Sequence, residues 1–313
     1  MKVLIIGAGS IGRRHATNLS TLGVDVGVYD TNQDLLKGVC GDPISDLDSA
    51  IESHYYTASL ICTPTNLHVP LSQMVVDAGM DIFIEKPLSH SWKGVYTLLK
   101  SIDKKSVVAM AGFNLRYEPG LLYLKKIIPE KEIAFVRIEC GSHMPTWRDG
   151  VDYRKVYSAN KSMGGGIILD GIHELDYACW LFGYPDSVRG SFGTFSNFEI
   201  DVEDTANIQF TYEDKHIEIH LDYLQKRYTR TCKICLRDGN TIEWTFGEGV
   251  VEYTDGNRKA WIYKDRFNIN DLYLEEIKTF LRHIKERTQP ESDTPNAATI
   301  LNLALRVKEG VGK

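Results

Sequence analysis

Residues 2–15 read KVLIIGAGSIGRRH, and the reading of this stretch decides the fold. KVLII is a short apolar run bounded by glycine, the pattern of a buried parallel strand. Gly7, Gly9 and Gly12 follow as G-x-G-x-x-G, and the chain from Ser10 and Ile11 onward takes a helical pattern that ends near Gly23. VDVGVYD is then a second strand, closing on Asp30. Asp30 stands 18 residues beyond Gly12, close to the spacing of ~20 at which an acidic residue reaches a ribose hydroxyl.

Each glycine has a physical task in such a turn. Gly7 allows the tight bend, Gly9 lets a pyrophosphate approach the backbone, and Gly12 lets the helix pack close to the strand. The helix start at Ser10 and Ile11 supplies unpaired N–H groups and the positive end of the dipole. Asp30 favours NAD because its charge repels a 2′-phosphate. NADP stays open, since Arg13, Arg14 or the neighbourhood of Thr31 could receive that phosphate.

Working outward, strand and helix patterns alternate: ASLICTP, LHVPLSQMVVDAGM, DIFIEKP, SWKGVYTLLKSIDKK and SVVAMAGF. This predicts an α/β, doubly wound parallel sheet over residues 1–116. Residues 117–313 have another texture: one helix, the strand EIAFVRIECGSH, a polar aromatic loop, a single helix IILDGIHELDYACWLFG, and then seven alternating segments from SVRGSFGTF to KAWIYK. A second α+β domain on a large open sheet is expected there, with the C-terminal helices available to pack back on the first domain.

The composition excludes several classes. The net charge is -6, which argues against a nucleic-acid partner. No segment approaches the ~18 apolar residues of a membrane span, and the N-terminus lacks a signal-peptide pattern. A cytoplasmic protein with six reduced cysteines is expected. Cys232 and Cys235 form a CxxC within a strand pattern, which puts the two sulfurs on opposite faces. No metal site is expected from the spacing of Cys and His.

Ligands bind at the carboxyl ends of parallel strands. That edge carries Cys62, Thr63, Pro64, Asn66 and His68 after one strand, and Glu85 and Lys86 after the next. In the second half, Asp170, His173 and Asp176 recur at spacings of three, which would share one helix face. Gly164, Gly165 and Gly166 before them permit a close approach. Trp147, Arg148, Arg154 and Tyr157 lie in the preceding loop, where rings can stack on sugars and guanidinium forks can bind acids. Asn114 and Arg116 follow the last strand of the first domain.

Taken together, GAGSIGRRH, TPTNLH, EKP, GFNLRYEP and GGGIILDGIHELDYACWLFG resemble the Gfo/Idh/MocA family, across nearly the whole chain. The resemblance implies an NAD(P)-dependent dehydrogenase or reductase acting on a sugar or sugar derivative. It gives Lys86 a place beside the nicotinamide and substrate, with Glu85 at its side, and joins Asp170 and His173 to it around the reacting hydroxyl. Many members place one more residue between this Asp and His than the present chain does. The loop before the helix resembles members linked to sialic-acid-like or surface-polysaccharide sugars. Substrate contacts are expected from Asn114, Trp147, Arg154, Tyr157 and Asp176. A homodimer or homotetramer through the C-terminal sheet is implied as well. Two other readings stay open: a redox-neutral glycosidase or epimerase that retains NAD, and a dinucleotide-sensing regulator without turnover.

Overall fold

The computed structural model describes residues 1–147 and 150–310. Arg148 lies outside the described residues. The chain divides into two compact units. The first comprises Met1–Phe113 with Tyr273–Thr299; the second comprises Asn114–Leu272 with the chain from Ile300 onward.

The first unit follows from its apolar runs. β1 (Lys2–Ile6), α1 (Ser10–Thr21), β2 (Asp25–Tyr29), β3 (Asp42–Ile44), α2 (Leu47–Glu52), β4 (Ala58–Ile61), α3 (His68–Asp77), β5 (Asp81–Glu85), α4 (Val95–Lys105) and β6 (Ala109–Gly112) form a six-stranded sheet in the order β3-β2-β1-β4-β5-β6. Every pairing is parallel. β4, β5 and β6 are buried along their whole length, as a parallel sheet covered on both faces requires. The order reverses between β1 and β4, so their carboxyl ends flank the crevice of a doubly wound sheet. β3 was not expected from the sequence. It has three residues, one of them Pro43, and two of the three are exposed, so neither length nor apolar pattern marks it.

Tyr273–Thr299 completes this unit from the far end of the chain. Ser292 accepts a backbone hydrogen bond from Ala111 at 2.8 Å, and Phe280 packs edge-on to Phe83 with centroids 5.7 Å apart.

The second unit is built on an eight-stranded sheet. Its elements are α5 (Pro119–Ile127), β7 (Ile133–Gly141), α6 (Ile167–Asp170), α7 (Ile172–Phe182), β8 (Ser187–Gly193), β9 (Thr205–Thr211), β10 (His216–Asp222), β11 (Thr229–Leu236), β12 (Thr241–Thr245), β13 (Gly249–Thr254), β14 (Asn257–Ile262), and the parts of α8 (Ile269–Glu286) and α9 (Thr294–Lys308) that fall in it. The order is β14-β13-β12-β11-β7-β10-β9-β8. Only β7 and β10 pair in parallel; the other neighbours are antiparallel. Alternate residues such as Val136, Ile138, Ile217, Ile219, Ile234 and Trp244 are buried on one face. The opposite face is half-exposed and carries cross-strand ion pairs, Arg137–Glu218 at 3.1 Å and Lys233–Glu243 at 2.7 Å. Cys232 is buried in β11 while Cys235 is part-exposed, and all six cysteines are free thiols.

Two expectations about helices are corrected here. The segment IILDGIHELDYACWLFG forms two helices, α6 and α7, with Gly171 between them. A side chain at Gly171 would press into Leu221, its Cβ only 2.9 Å from that residue's Cδ1. The close approach to β10 favours glycine there, and α6 ends at it. In the first unit, α4 begins only at Val95, because Gly94 before it is left-handed with φ of 78°.

Glu118 ties α5 to the sheet. It is fully buried and caps the helix by accepting from Leu121 N at 2.9 Å. It also accepts from Trp244 Nε1 at 2.9 Å and from the Tyr263 hydroxyl. Burial pushes its carboxyl above the usual range, against the pull of these donors. Removing it strips a helix cap, leaves the Tyr263 hydroxyl without its acceptor, and leaves the buried indole N–H only the longer contact to that hydroxyl, 3.2 Å. Glu118→Ala is expected to cost about 2–4 kcal/mol of unfolding free energy, and Glu118→Gln clearly less; denaturant titration of the three proteins checks the order.

Candidate functional site

The dinucleotide-type turn of the first unit is closed by backbone contact. Gly7 is left-handed with φ of 107°, and a Cβ on it would sit 2.6 Å from the Cys62 carbonyl oxygen. A Cβ on Gly12 would fall 1.9 Å from the Gly7 carbonyl oxygen. These distances hold α1 against the β1–β4 edge. Gly9 differs: nothing lies within 4 Å of where its Cβ would stand. It is the N-cap of α1 and offers no side-chain cap, so the first helical amides, from Ser10 and Ile11 onward, have no side-chain acceptor at the cap. Such a helix end suits a phosphate.

Asp30 closes the other side of the turn. Its carboxylate accepts from Ala8 N at 2.7 Å and from Asn32 N at 2.8 Å, which fixes it beside the glycine turn, with Thr31 exposed next to it. The two arginines that could have welcomed a 2′-phosphate are engaged elsewhere. Arg13 donates to the carbonyls of Leu35 and Lys37, and Arg14 lies over the Tyr273 ring, 4.6 Å from its centroid.

After β4, Cys62 is buried, and the Thr63 Oγ1 and Asn66 Oδ1 atoms are buried without a hydrogen-bond partner among the described residues. Buried polar atoms of this kind are unusual unless a ligand or water serves them. His68 is buried between two carbonyls, with Nδ1 2.8 Å from the oxygen of Pro87 and Nε2 2.9 Å from that of Thr63. It thus fastens the loop after β4 to the loop after β5. Burial pulls its pKa below the usual histidine range, although both carbonyls oppose this. Pro64 precedes a short turn of 3₁₀ helix that leads into α3. Glu85 ends β5 and is buried; Lys86, the next residue, is half-buried.

In the second unit the α6–α7 segment is held by contacts that sequence alone does not reveal. A Cβ on Gly166 would sit 2.4 Å from Glu203 Oε1, and Gly166 has φ of 115°. Glu203 accepts from Ile167 N through its carbonyl at 3.0 Å, while its carboxylate pairs with Lys308 at 2.9 Å. Asp170, at the end of α6, accepts a 2.5 Å hydrogen bond from the Tyr223 hydroxyl. Tyr223 is fully buried. Burial first, and then the Asp170 charge, push its pKa well above the ordinary tyrosine value, so it acts as a neutral donor. The Trp147 ring meets Tyr223 edge-on at 5.1 Å, and its Nε1 donates to Ser142 at 2.8 Å. Trp147, Tyr223 and Asp170 thus form one line, with Tyr157 an electrostatic neighbour of Tyr223.

His173 sits in the first turn of α7, 8% exposed. The expected single helix is divided: Asp170 ends α6, while His173 and Asp176 lie three residues apart on α7. Asp176 is fully buried, and its carboxylate is gripped by Arg116 through Nε at 3.0 Å and Nη2 at 2.5 Å. Arg154, read as a substrate contact, spends its fork on Asp152 and Glu199 at 2.9 and 2.7 Å. Asn114 is buried, with Oδ1 unpartnered among the described residues. Sequence reasoning missed Tyr223, Glu203 and Lys308. Tyr223 follows a well-marked strand, but an aromatic residue at a strand end is too ordinary to single out.

Comparisons with known proteins agree with this layout. Residues 1–113 match the GFO/IDH/MocA family model, described as "Oxidoreductase family, NAD-binding Rossmann fold". Residues 121–242 match the GFO/IDH/MocA C-terminal domain. Among curated proteins, the chain is similar to myo-inositol 2-dehydrogenase of Thermotoga maritima, 26% identical over 99% of this chain and 96% of that protein. It is also similar to glucose-6-phosphate 3-dehydrogenase of Bacillus subtilis, 27% identical over 86% and 79%. Among solved structures, levoglucosan dehydrogenase in complex with NADH and levoglucosan superposes with a TM-score of 0.88 at 17% identity, covering 99% of this chain and 96% of that one.

The strand end before Tyr223 carries a titrating pair. His220 Nε2 lies 3.2 Å from Asp222 Oδ2. The hydrogen bond to Asp222 raises the His220 pKa against its burial. Burial pushes Asp222 up, but donors from His220, Gln225 and Leu224 outweigh it and hold the carboxyl at about 2. The histidine contribution to stability is complete below its unfolded pKa of ~6.5 and is lost as pH rises through the raised folded value. The aspartate contribution is present above ~3.9 and is lost as pH falls toward the folded value. The melting-temperature gap between parent and Asp222→Asn should therefore be widest between about pH 4 and 6.5 and narrow in alkali. NMR titration of His220 in the variant should return to the ordinary histidine range.

Proposed function

We propose, for a chain that belongs to the Gfo/Idh/MocA oxidoreductase family, an NAD-dependent dehydrogenase or reductase acting on a CH–OH group of a sugar or sugar derivative. The observation that carries the reading is the α1 turn: helix amides without a side-chain cap, no Cβ at Gly9, and Asp30 fixed beside them. The engagement of Arg13 and Arg14 favours NAD over NADP. NAD supplies the two-electron exchange with the hydroxyl-bearing carbon.

The chain's own residues handle charge and protons. In the oxidation direction His173 takes the hydroxyl proton, a task suited to an imidazole near neutral pH. Lys86 hydrogen-bonds the same oxygen and stabilises negative charge developing on it. Asp170, held by Tyr223, orients the polar groups around the substrate, and Trp147 and Tyr157 offer ring faces to the sugar. Asn114 presents an amide to a substrate hydroxyl. Asp176 acts through Arg116, as part of the support beneath α7. Arg154 contacts an acidic substrate only by releasing one of its two carboxylates.

No described helix is long and apolar enough to cross a membrane, and the six free thiols suit a reducing cytoplasm. The half-exposed charged face of the eight-stranded sheet supports association of a second copy there, as a homodimer or homotetramer.

His173→Ala is expected to lower kcat by about 10²–10⁴-fold with little change in the dissociation constant for NAD. The measurement is reduced-cofactor absorbance across a panel of sugars, cyclitols and sugar phosphates. Parental turnover in the variant removes His173 from the mechanism, and NAD binding without net reduction on any substrate favours the redox-neutral or sensing alternatives. Asp30→Ala should narrow the preference for NAD over NADP by about tenfold, or about 1.4 kcal/mol, read from kcat/KM with each cofactor.

A further inference from the structure

The loop between β7 and α6 shapes a small cavity that no role assigned above uses. Met144, Trp147, Val151, Tyr153, Val156 and Ser158 line it. Met144 and Ser158, each 2% exposed, form its floor, and Trp147 and Val151, 38 and 45% exposed, form its rim. Its volume of about 10 Å³ holds one water-sized or methyl-sized group. The lining is mostly apolar. The Trp147 N–H is spent on Ser142 at 2.8 Å, and the Tyr153 hydroxyl accepts from Glu199 N at 3.2 Å. The Ser158 hydroxyl is the remaining polar group among these side chains. A buried water settles where two to four polar groups meet it, so this wall suits a methyl group better.

The wall is held from outside the cavity. Met144 N donates to the Tyr223 carbonyl at 3.0 Å. The Tyr153 ring meets Phe198 edge-on with centroids 5.8 Å apart. Val156 lies between two turns of 3₁₀ helix, Tyr153–Lys155 and Tyr157–Ala159. Behind Ser158, its carbonyl accepts from Gly166 N at 3.1 Å, and a Cβ on Gly165 would stand 2.5 Å from the same oxygen. The glycine run before α6 thus lets that turn press against the cavity floor. A pre-formed cavity needs no further ordering when a group enters it.

The cavity lies beside the ring that the proposed function gives to the sugar. Trp147 belongs to both, and its ring meets Tyr223, whose hydroxyl donates to Asp170. A sugar stacked on Trp147 can direct one substituent past the rim. A bare hydroxyl there gives up water for apolar walls, and a charged group finds no counter-ion in the lining; both are unfavourable. An acetamido group sets its methyl among Met144, Val151 and Val156 and offers its carbonyl oxygen to the Ser158 hydroxyl.

We infer that this cavity is a subsite for the methyl of an acetamido substituent, that the substrate is an N-acetylated sugar, and that Val156 is a specificity-determining residue. The inference rests on the proposed reading of a sugar stacked on Trp147.

The test uses three pairs: N-acetylglucosamine with glucose, N-acetylgalactosamine with galactose, and N-acetylmannosamine with mannose, each as the free sugar and as its nucleoside-diphosphate form. One readout is kcat/KM with NAD. The other is saturation-transfer NMR with the NAD-loaded protein, which reports contact with the methyl whether or not turnover occurs. In at least one pair the acetamido sugar should be favoured about tenfold in kcat/KM, the scale of one added apolar group in a fitted pocket. Its methyl protons should be the most strongly saturated of the ligand. Val156→Phe fills the cavity, and should bring the ratio near one and remove the methyl signal. Turnover without an acetamido preference in any pair overturns the inference. So does an acetyl methyl without saturation in every pair, or a preference that survives Val156→Phe with folding verified by circular dichroism. Should Val156→Phe fail to fold, Val156→Leu, a smaller enlargement of the same wall, decides by the same ratio. If no sugar reduces NAD while the methyl contact is present in the parent and lost in the variant, the dehydrogenase reading falls and the subsite stands.

Discussion

A carbonyl oxygen and a missing side chain set the geometry of the first unit. The Gly7 oxygen occupies the space where a Cβ on residue 12 would be, at 1.9 Å, and the Cys62 oxygen does the same to residue 7 at 2.6 Å. Because neither residue has a Cβ, α1 can lie against the crossing of β1 and β4. Its uncapped amides then point from the carboxyl edge of the sheet at the place where strand order reverses. The position of Asp30, and of the polar loops after β4 and β5, follows from parallel strands that all deliver their ends to that edge. The interaction is steric and of very short range, so it tolerates almost no substitution.

Most of the buried charges share one theme: they hold segments bearing residues of the candidate site, with the Glu118 clamp on α5 serving the fold alone. Glu203 and Lys308 hold the start of α6; Tyr223 holds Asp170; Arg116 grips Asp176 beneath α7; Glu118 clamps α5 to Trp244 and Tyr263. Buried ion pairs add little net stability compared with apolar packing, yet breaking one is costly because a charge is left alone. Their value here lies in fixing geometry. The His15–Glu85 contact extends the theme to the strand end that carries Lys86.

Much of the architecture was legible in the residues. The alternation of apolar strands and amphipathic segments up to residue 113, the G-x-G-x-x-G turn, and the seven alternating segments between residues 187 and 262 all appear as elements of the two sheets. Three features were not legible. β3 is too brief and too polar to leave a pattern. What looks like one helix divides at Gly171, which packs close to Leu221, 50 residues further along. The left-handed Gly94 delays α4 past an otherwise helical run.

The candidate site divides along the same physical line. Periodicity, glycine spacing and the acid at the end of the second strand are local properties, encoded within a few residues of one another, and they were enough to determine the Rossmann unit, its preference for an anionic dinucleotide and the segments that bear polar site residues. Which carboxylates are free and which are already bound is a property of contacts between residues far apart in the chain. Asp176 is bound by Arg116, 60 residues away, and Asp170 by Tyr223, 53 residues away. His15 meets Glu85 across 70 residues. No spacing rule reaches that far, because the pairing energy depends on burial and on distances that exist only once the sheets have formed.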